Sequence, residues 1–349
     1  MLLLPYRSYG TATRLYLVGR VLDDEPLPAP ADRESTWRGL RLMWQRIETD
    51  EVPGAKIEVT YGSQTTRVAT NAEGYFRLNL TLALPLPWQD GTDGWHPVPL
   101  RLVGLPPGFR LTLTDENAIT ATATVLVPPP DAEFGIISDI DDTIVETGAT
   151  SLPRMFRNTF LRTYRKRLPF AGVAEFYRAL QLGLNGKRNN PVFYVSSSPW
   201  NLYDLLDDYM TFHGLPAGPL LLRDFGIARA NLREGHLDHK LREITQVFET
   251  YPTLTFVLIG DSGQRDPVIY REVVRRFPSR VRAIYIRDVE TGQDSKRDAI
   301  VTTLAAEIRA EGVPMLLVAD TAAAAAHAVT LGLVTPPAAA DVAVDAVKA

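Results

Sequence analysis

The chain has 349 residues, of which 45% are hydrophobic, so it is long enough for two domains that each bury a core of their own. Its formal net charge of −4 provides no overall basic field, which excludes general nucleic-acid binding. The absence of cysteine excludes disulfides, thiolate catalysis and cysteine-ligated zinc.

The amino terminus reads MLLLPYRSYG, with three leucines before Pro5 and no basic residue ahead of them. This apolar stretch is too short for a signal peptide. No run of about eighteen apolar residues, the length of a membrane-spanning helix, occurs elsewhere. We therefore expect a soluble, cytoplasmic protein whose contact with a bilayer, where it has one, is peripheral.

Residues 1–130 are predicted to form an accessory all-β domain. Short segments of alternating β-branched and aromatic residues stand between turn clusters: RLYLVGRV, AKIEVTYG, TTRVAT, GYFRLNL, PVPLRLV and FRLTLT. This spacing favours a β-sandwich. The stretch Gly54–Leu80 resembles the transthyretin-like or carboxypeptidase-regulatory type of sandwich. Because no catalytic constellation occurs here, we interpret this region as a structural or targeting module with an unknown protein partner.

Pro128, Pro129 and Pro130 mark the predicted domain boundary, since consecutive prolines cannot extend a sheet ladder. After them, apolar strands alternate with amphipathic helices in FGIIS, PVFYVSS, TFVLIGD, RAIYIRD and PMLLVAD. Buried parallel strands with crossover helices fit this pattern, so residues 131–320 are predicted to form an α/β domain. Residues 321–349 are expected to form an Ala-rich helix followed by a weakly ordered, low-complexity tail.

The sharpest chemical signal is the segment Asp139-Ile140-Asp141-Asp142-Thr143, which directly follows an apolar strand. Two neighbouring carboxylates at a strand end suit either a bound cation or a raised pKa that makes one of them a proton donor. Aspartates after a strand are also common as turn residues and helix caps. A calcium-binding EF-hand loop is excluded, because its sixth position requires glycine and this chain has Ile144.

Three further polar signals follow in chain order, and two of them stand at strand ends. The segment YVSSSPW stops an apolar strand at hydroxyls, where Ser196 is placed to hold a phosphate oxygen and Ser198 to cap the next helix. Lys240 lies in a short GHLDHK segment. The segment GDSGQRD places Asp261 at the end of another apolar strand, and Asp266 is either an outer acid of the site or a turn residue before Pro267.

Together these segments resemble the four motifs of the haloacid dehalogenase superfamily, in the order DxDxT, Ser or Thr, Lys, and an acidic pair. Within that superfamily, DIDDTI, YVSSSPW, the HK segment and GDSGQRDP resemble the actin-patch-protein type of Mg²⁺-dependent phosphatidate phosphatase. The resemblance covers roughly residues 134–320. It implies an HAD-like Rossmannoid sheet with flanking helices for the second domain.

The resemblance also implies a role for each motif residue. Asp139 is expected to be the nucleophile, and Asp141 the general acid and base. Ser196 and Lys240 are expected to hold the phosphoryl oxygens. Mg²⁺ is expected to bind Asp139, the backbone oxygen of Asp141 and Asp261, with Thr143 and Asp266 as supporting residues.

The substrate class is less constrained by the sequence. Arginines, lysine and aromatic residues interleave at helical spacing over 154–167, which is typical of a basic amphipathic helix on an anionic bilayer and equally of a solvated helix packed on its domain. A phosphatidate or related lipid phosphate is the leading substrate. Two alternatives stay open: the same chemistry on a soluble phosphomonoester or phosphoprotein, and a non-catalytic protein that binds partners through its β-sandwich.

Overall fold

The computed structural model describes residues 1–23, 50–86, 93–109, 118–141, 143–144, 170–187, 189–223, 236–289 and 296–348. The chain divides into two compact units, Met1–Pro129 and Pro130–Ala349. The division falls inside the triple proline, where missing N–H groups and fixed φ angles interrupt any sheet ladder.

The first unit contains one mostly antiparallel sheet of nine strands. Its strands are β1 (Leu2–Pro5), β2 (Ser8–Thr11), β3 (Arg14–Asp23), β4 (Asp50–Glu51), β5 (Lys56–Tyr61), β6 (Gln64–Ala69), β7 (Tyr75–Thr81), β8 (Trp95–Gly104) and β9 (Thr120–Leu126). Along β8 the residues Val98, Leu100 and Leu102 are buried while the residues between them are exposed. This alternation is that of a sheet with one face on an apolar core, as the sequence pattern predicts.

The second unit contains a six-stranded parallel sheet, which confirms the predicted α/β class. Its strands are β10 (Gly135–Asp139), β11 (Val192–Pro199), β12 (Leu220–Arg223), β13 (Phe256–Asp261), β14 (Val281–Arg287) and β15 (Met315–Val318). They lie in the order β12-β11-β10-β13-β14-β15. Every residue of β10 and β13 is buried, as expected for central strands covered on both faces. The strand β12 was not predicted, because its short LLLR sequence lacks β-branched residues.

Seven helices of the described residues belong to this unit. They are α1 (Val173–Leu182), α2 (Tyr203–Phe212), α3 (His236–Thr250), α4 (Asp266–Arg276), α5 (Lys296–Ala310), α6 (Thr321–Thr330) and α7 (Pro336–Lys348). The helix α4 packs beside both α3 and α5, and α1, α6 and α7 pack on one another. From β10 the chain moves outward to β11 and β12 on one side of the sheet, and from β13 it moves outward to β14 and β15 on the other side. Right-handed crossovers that run in opposite directions place their helices on opposite faces, so these two groups of helices cover opposite faces of the sheet.

The carboxyl-terminal segment is more ordered than the sequence suggests. The Ala-rich helix is present as α6, and Asp320 caps it by accepting a hydrogen bond from the Ala323 N–H at 2.8 Å. The expected weakly ordered tail is wrong, because residues 336–348 form α7. Proline is favoured in a first helical turn, and Val342 is fully buried. The apolar face of α7 therefore has a partner surface that its low-complexity composition does not reveal.

The strand order places the candidate site. In an open parallel sheet, ligands bind at the carboxyl ends of the strands where the chain reverses its direction of winding. Here that point is β10, flanked by β11 and β13. Asp139 and Asp261 are the last residues of β10 and β13, and Ser196 lies in the last part of β11. The predicted motif residues therefore meet at one edge of the sheet.

Candidate active site

Asp139 lies at the centre of the site and is almost fully buried, with 1% of its surface exposed. Thr143 stands four residues later, and its hydroxyl donates to Asp139 Oδ2 at 3.5 Å. The Ile144 N–H donates to the Ile140 carbonyl at 3.0 Å, which closes the turn after the strand. Burial raises the pKa of Asp139 well above its ordinary value, nearby Asp266 raises it further, and Lys240 opposes the shift.

Asp141 and Ser196 form a direct pair across two strands. The Ser196 hydroxyl donates to Asp141 Oδ2 at 2.8 Å and accepts the Ser198 N–H at 2.9 Å. The Ser198 hydroxyl reaches the same carboxylate oxygen at 3.5 Å. The Asp141 carboxyl group is thus oriented by hydroxyls from β11. In addition to its predicted contact with phosphate, Ser196 therefore holds the carboxyl group of Asp141, the predicted general acid.

The prediction that Ser198 caps a helix is wrong. The strand β11 continues through Pro199, a single 3₁₀ turn follows at Trp200–Leu202, and α2 begins only at Tyr203. Leu202 therefore occupies the capping position of α2, with no side-chain hydrogen bond. Ser196 and Ser198 both point toward Asp141, because both hydroxyls reach its Oδ2.

Lys240, on α3, is buried among acids rather than solvated, with 4% of its surface exposed. Its ammonium nitrogen lies 2.7 Å from Asp139 Oδ1 and 2.8 Å from Asp266 Oδ1. Burial alone would lower the pKa of Lys240, but the carboxylates of Asp139 and Asp266 outweigh burial, and the net shift is upward. The group is therefore a fixed positive charge beside the predicted nucleophile.

Asp261 and Asp266 complete the acidic cluster. The Gln264 N–H donates to Asp261 Oδ1 at 2.7 Å, whereas the buried Asp261 Oδ2 has no hydrogen-bond partner among the described residues. Burial, followed by the charge of Asp266, raises the pKa of Asp261 to about 8. Asp266 opens α4, is fully buried, and accepts the Asp261 N–H at 3.3 Å. Asp266 therefore contacts Lys240 and Asp261 directly and is not simply a turn residue.

Gln264 is the site residue that sequence reasoning missed. Its Oε1 accepts from the Lys240 ammonium at 3.3 Å, and its Nε2 donates to the Asp141 carbonyl at 3.1 Å and to Asp139 Oδ2 at 3.4 Å. The sequence feature that could have identified Gln264 as a site residue was its position between the two acids of GDSGQRD. An amide in that loop is easily interpreted as an ordinary turn residue.

The oxygen atoms of this cluster suit a hard divalent cation. Asp139, Asp261 and Asp266 each offer a carboxylate oxygen, and these three atoms lie within 4.8 Å of one another. The unpartnered Asp261 Oδ2 is the kind of buried oxygen that a cation would satisfy. Mg²⁺ binds through one or a few carboxylates and retains waters. The residues present therefore fit a metal ion of this class, with Asp266 added to the predicted Asp139 and Asp261.

Two predicted features lie outside the described residues. The basic segment 154–167 falls in the gap between residues 144 and 170, and Asp142 of the DIDDT segment falls in the preceding gap. No helix among the residues that the structure describes is long and apolar enough to cross a bilayer.

A comparison with known families identifies the segment that carries this site. Residues 134–288 match the family model described as the catalytic domain of phosphatidate phosphatase APP1. This segment is therefore similar to an APP1-type catalytic domain. The matched segment contains all of the predicted site residues, namely Asp139, Asp141, Ser196, Lys240, Asp261 and Asp266. The first unit lies outside it.

Two curated proteins are similar in sequence to this chain. Phosphatidate phosphatase APP1 of Saccharomyces cerevisiae is 35% identical over 156 residues, which are 44% of this chain and 26% of that protein. The uncharacterized protein C29B5.04c of Schizosaccharomyces pombe is 30% identical over 224 residues, which are 64% of this chain and 34% of that protein. The chain thus spans about a third or less of the relatives it matches.

The pairing of Ser196 with Asp141 leads to a mutational prediction. Replacing Ser196 with alanine removes the 2.8 Å hydrogen bond that orients the Asp141 carboxyl group. We expect kcat to fall about 10- to 100-fold, which is part of the ~10²–10⁴-fold that general acid catalysis supplies. Steady-state phosphate release measures this change.

Ser197 provides the matched control, because it is partly exposed, whereas Ser196 and Ser198 are buried and their hydroxyls reach Asp141. Ser197→Ala should leave kcat close to the wild-type value, and Ser196→Thr should retain much of it because it keeps the hydroxyl. Equal losses in Ser196→Ala and Ser197→Ala would show that the pairing with Asp141 is not what matters.

Proposed function

We propose that the protein is a Mg²⁺-dependent phosphatidate phosphatase that hydrolyses phosphatidate to diacylglycerol and phosphate through an aspartyl-phosphate. The observation that carries the proposal is the arrangement at the end of β10. Asp139 stands there between the Lys240 ammonium at 2.7 Å and an acidic cluster fit for a cation, and Asp141 is held beside it by Ser196. The match of residues 134–288 to the APP1 catalytic domain supports the substrate class.

In the proposed first step, a carboxylate oxygen of Asp139 attacks phosphorus and the bond to the lipid oxygen breaks. Asp141 gives its proton to the departing alkoxide, which leaves as the hydroxyl of diacylglycerol. Lys240 stabilises the negative charge that develops on the phosphoryl oxygens. When bound, the cation neutralises the acidic cluster and favours the ionised form of Asp139.

In the second step, the Asp141 carboxylate takes a proton from water, and the resulting hydroxide attacks the phosphorus of the aspartyl-phosphate. The bond between phosphorus and Asp139 breaks, so that phosphate leaves and both aspartates return to their starting states. The Ser196 hydroxyl keeps the Asp141 carboxyl group in one orientation through both proton transfers. One carboxyl group thus acts as acid and then as base.

A phosphate-release panel tests the function. Mixed micelles of phosphatidate and a water-soluble aryl phosphate are each assayed with Mg²⁺ and with chelator. The proposal expects Mg²⁺-dependent release that favours the lipid substrate. Release from the aryl phosphate alone would indicate a soluble phosphomonoester as substrate, and no release from either would favour a binding protein.

Three finer assignments belong to the same proposal. The second unit would have the HAD-like arrangement, and the first would be an accessory β-sandwich that engages a protein partner. The basic segment 154–167 would place a cytoplasmic enzyme on an anionic bilayer.

Reversing the charges of Arg157, Arg162 and Lys166 should abolish binding to anionic vesicles, whereas unchanged binding would contradict a peripheral membrane role.

The raised pKa of Asp261 predicts a pH-dependent affinity for the cation. Because this pKa is about 8, the cation-free protein holds a proton there at pH 6, and Mg²⁺ must displace it. The Mg²⁺ concentration that gives half-maximal thermal stabilisation should therefore fall between pH 6 and pH 9, by at most about tenfold per pH unit for one proton.

The sign of the accompanying stability change follows from the same pKa. A carboxyl group whose pKa is raised by folding contributes stability below its unfolded value of 3.8, and that contribution is lost as the pH rises through about 8. In chelator, the Asp261→Asn variant should lose less stability than the wild type between pH 5 and pH 9. Half-maximal Mg²⁺ concentrations that are equal at pH 6 and pH 9 would contradict a protonated Asp261.

A further inference from the structure

Gln264 contacts several residues of the site, and the roles predicted for the motif residues do not account for these contacts. Its side-chain amide reaches Asp139 Oδ2 and the Asp141 carbonyl on one side and Lys240 on the other. Its own backbone N–H holds Asp261 Oδ1 at 2.7 Å. One neutral residue therefore touches both proposed reacting carboxylate residues, the fixed cation and a proposed metal ligand.

The donor or acceptor character of its neighbours decides the orientation of the Gln264 side-chain amide. An ammonium group only donates hydrogen bonds, so Lys240 selects the carbonyl oxygen of Gln264. The NH₂ group must then face the Asp139 carboxylate and the Asp141 carbonyl, which only accept. The contacts are thus mutually consistent in one orientation of the amide.

The two oxygens that accept from the Gln264 NH₂ group belong to two of the groups proposed to bind Mg²⁺, the Asp139 carboxylate and the Asp141 carbonyl. The N–H donors of Gln264 lie 3.1–3.4 Å from these two oxygens and occupy one direction of approach to each of them. A cation approaching the same oxygens would meet the positive end of the amide dipole. The amide and the cation therefore compete for one place.

We propose that Gln264 is a positioning residue that substitutes for the metal ion. In the cation-free protein, its NH₂ group donates hydrogen bonds to Asp139 Oδ2 and the Asp141 carbonyl. These hydrogen bonds hold the Asp139 side chain in a fixed position relative to the backbone of Asp141. Cation binding displaces the amide, so each binding event breaks its two hydrogen bonds. The inference rests on the cation dependence in the proposed function and adds a residue that sets the cation affinity.

The test replaces Gln264 with methionine, which has a similar length and volume but no hydrogen-bond donor. Loss of the competing NH₂ group should tighten Mn²⁺ binding about fivefold, the equivalent of roughly 1 kcal/mol, as expected for two weak hydrogen bonds. Free Mn²⁺ is counted by electron paramagnetic resonance at room temperature in titrations without substrate, and Mg²⁺ is added to confirm competition for the same site. Gln264→Ala provides a second variant in case methionine impairs folding.

Gln246→Met makes the same chemical change at a half-buried position of α3 and should leave Mn²⁺ affinity unchanged. General damage to the site would loosen binding, so tighter binding in Gln264→Met and Gln264→Ala identifies a lost competitor. Unchanged or weaker binding in both variants would overturn the role of Gln264 while leaving the proposed function intact. If the wild-type protein binds neither Mn²⁺ nor Mg²⁺, both the inference and the proposed cation dependence are wrong.

Discussion

Replacing Asp139 with asparagine should reduce turnover by at least roughly 10⁴-fold, because an asparagine side chain cannot form the proposed aspartyl-phosphate. The fold should persist. Asp139 is buried beside Asp261 and Asp266, and these surroundings raise its pKa well above the ordinary value. A neutral side chain of the same size is therefore compatible with the site.

The measurement is single-turnover phosphate release with Mg²⁺ present, together with the unfolding temperature in chelator. Asp131→Asn makes the same change at an exposed ion pair with Lys187 and should leave turnover unchanged. Denaturation with acid after mixing should trap a phosphorylated wild-type protein and no phosphorylated variant. Near-normal turnover by Asp139→Asn would show that another group attacks phosphorus.

The parallel sheet was predictable because its strands are buried on both faces and therefore appear as continuous apolar runs. The runs ending at Asp139 and Asp261 each close on an acid, and the carboxyl ends of parallel strands share one edge. Strand periodicity and the order of the motifs were thus sufficient to bring Asp139, Ser196 and Asp261 together. Their meeting point required no knowledge of loop geometry.

Other features depend on tertiary contacts that a sequence does not carry. The short strand β12 forms because it pairs with β11, and α7 forms because α1 and α6 give its apolar face a surface to cover. Ser198 resembles a helix cap locally, yet the pairing of β11 keeps the chain extended through Pro199. Local propensity was overruled in each case by a neighbour distant in sequence.

Gln264 shows the same limit at the level of the site. Acids and a lysine draw attention because burying their charges requires partners, whereas a neutral amide in a loop carries no such signal. Its importance comes from four contacts, to Asp139, Asp141, Lys240 and Asp261, which lie on three separate segments of the chain. Only the folded arrangement reveals them.

Replacing Lys240 with methionine should separate the stability of the site from its chemistry. In chelator, the substitution leaves Asp139 and Asp266 buried together without the ammonium group that contacts both. Breaking a buried ion pair by removing one partner costs about 3–5 kcal/mol. We therefore expect a loss of that order in the free energy of unfolding, measured by chemical denaturation. Lys187→Met, at a surface ion pair with Asp131, should cost less than about 1 kcal/mol.

Adding Mg²⁺ should restore much of the lost stability in Lys240→Met, because the proposed cation site contains the same acids and the cation would replace the missing positive charge. Turnover should stay about 10²–10³-fold below wild type even at saturating Mg²⁺, since no group then stabilises the phosphoryl oxygens from the position of Lys240. If Mg²⁺ restores turnover together with stability, Lys240 only balances the charge of the acids. If it restores neither, Lys240 and the cation do not act on the same carboxylates.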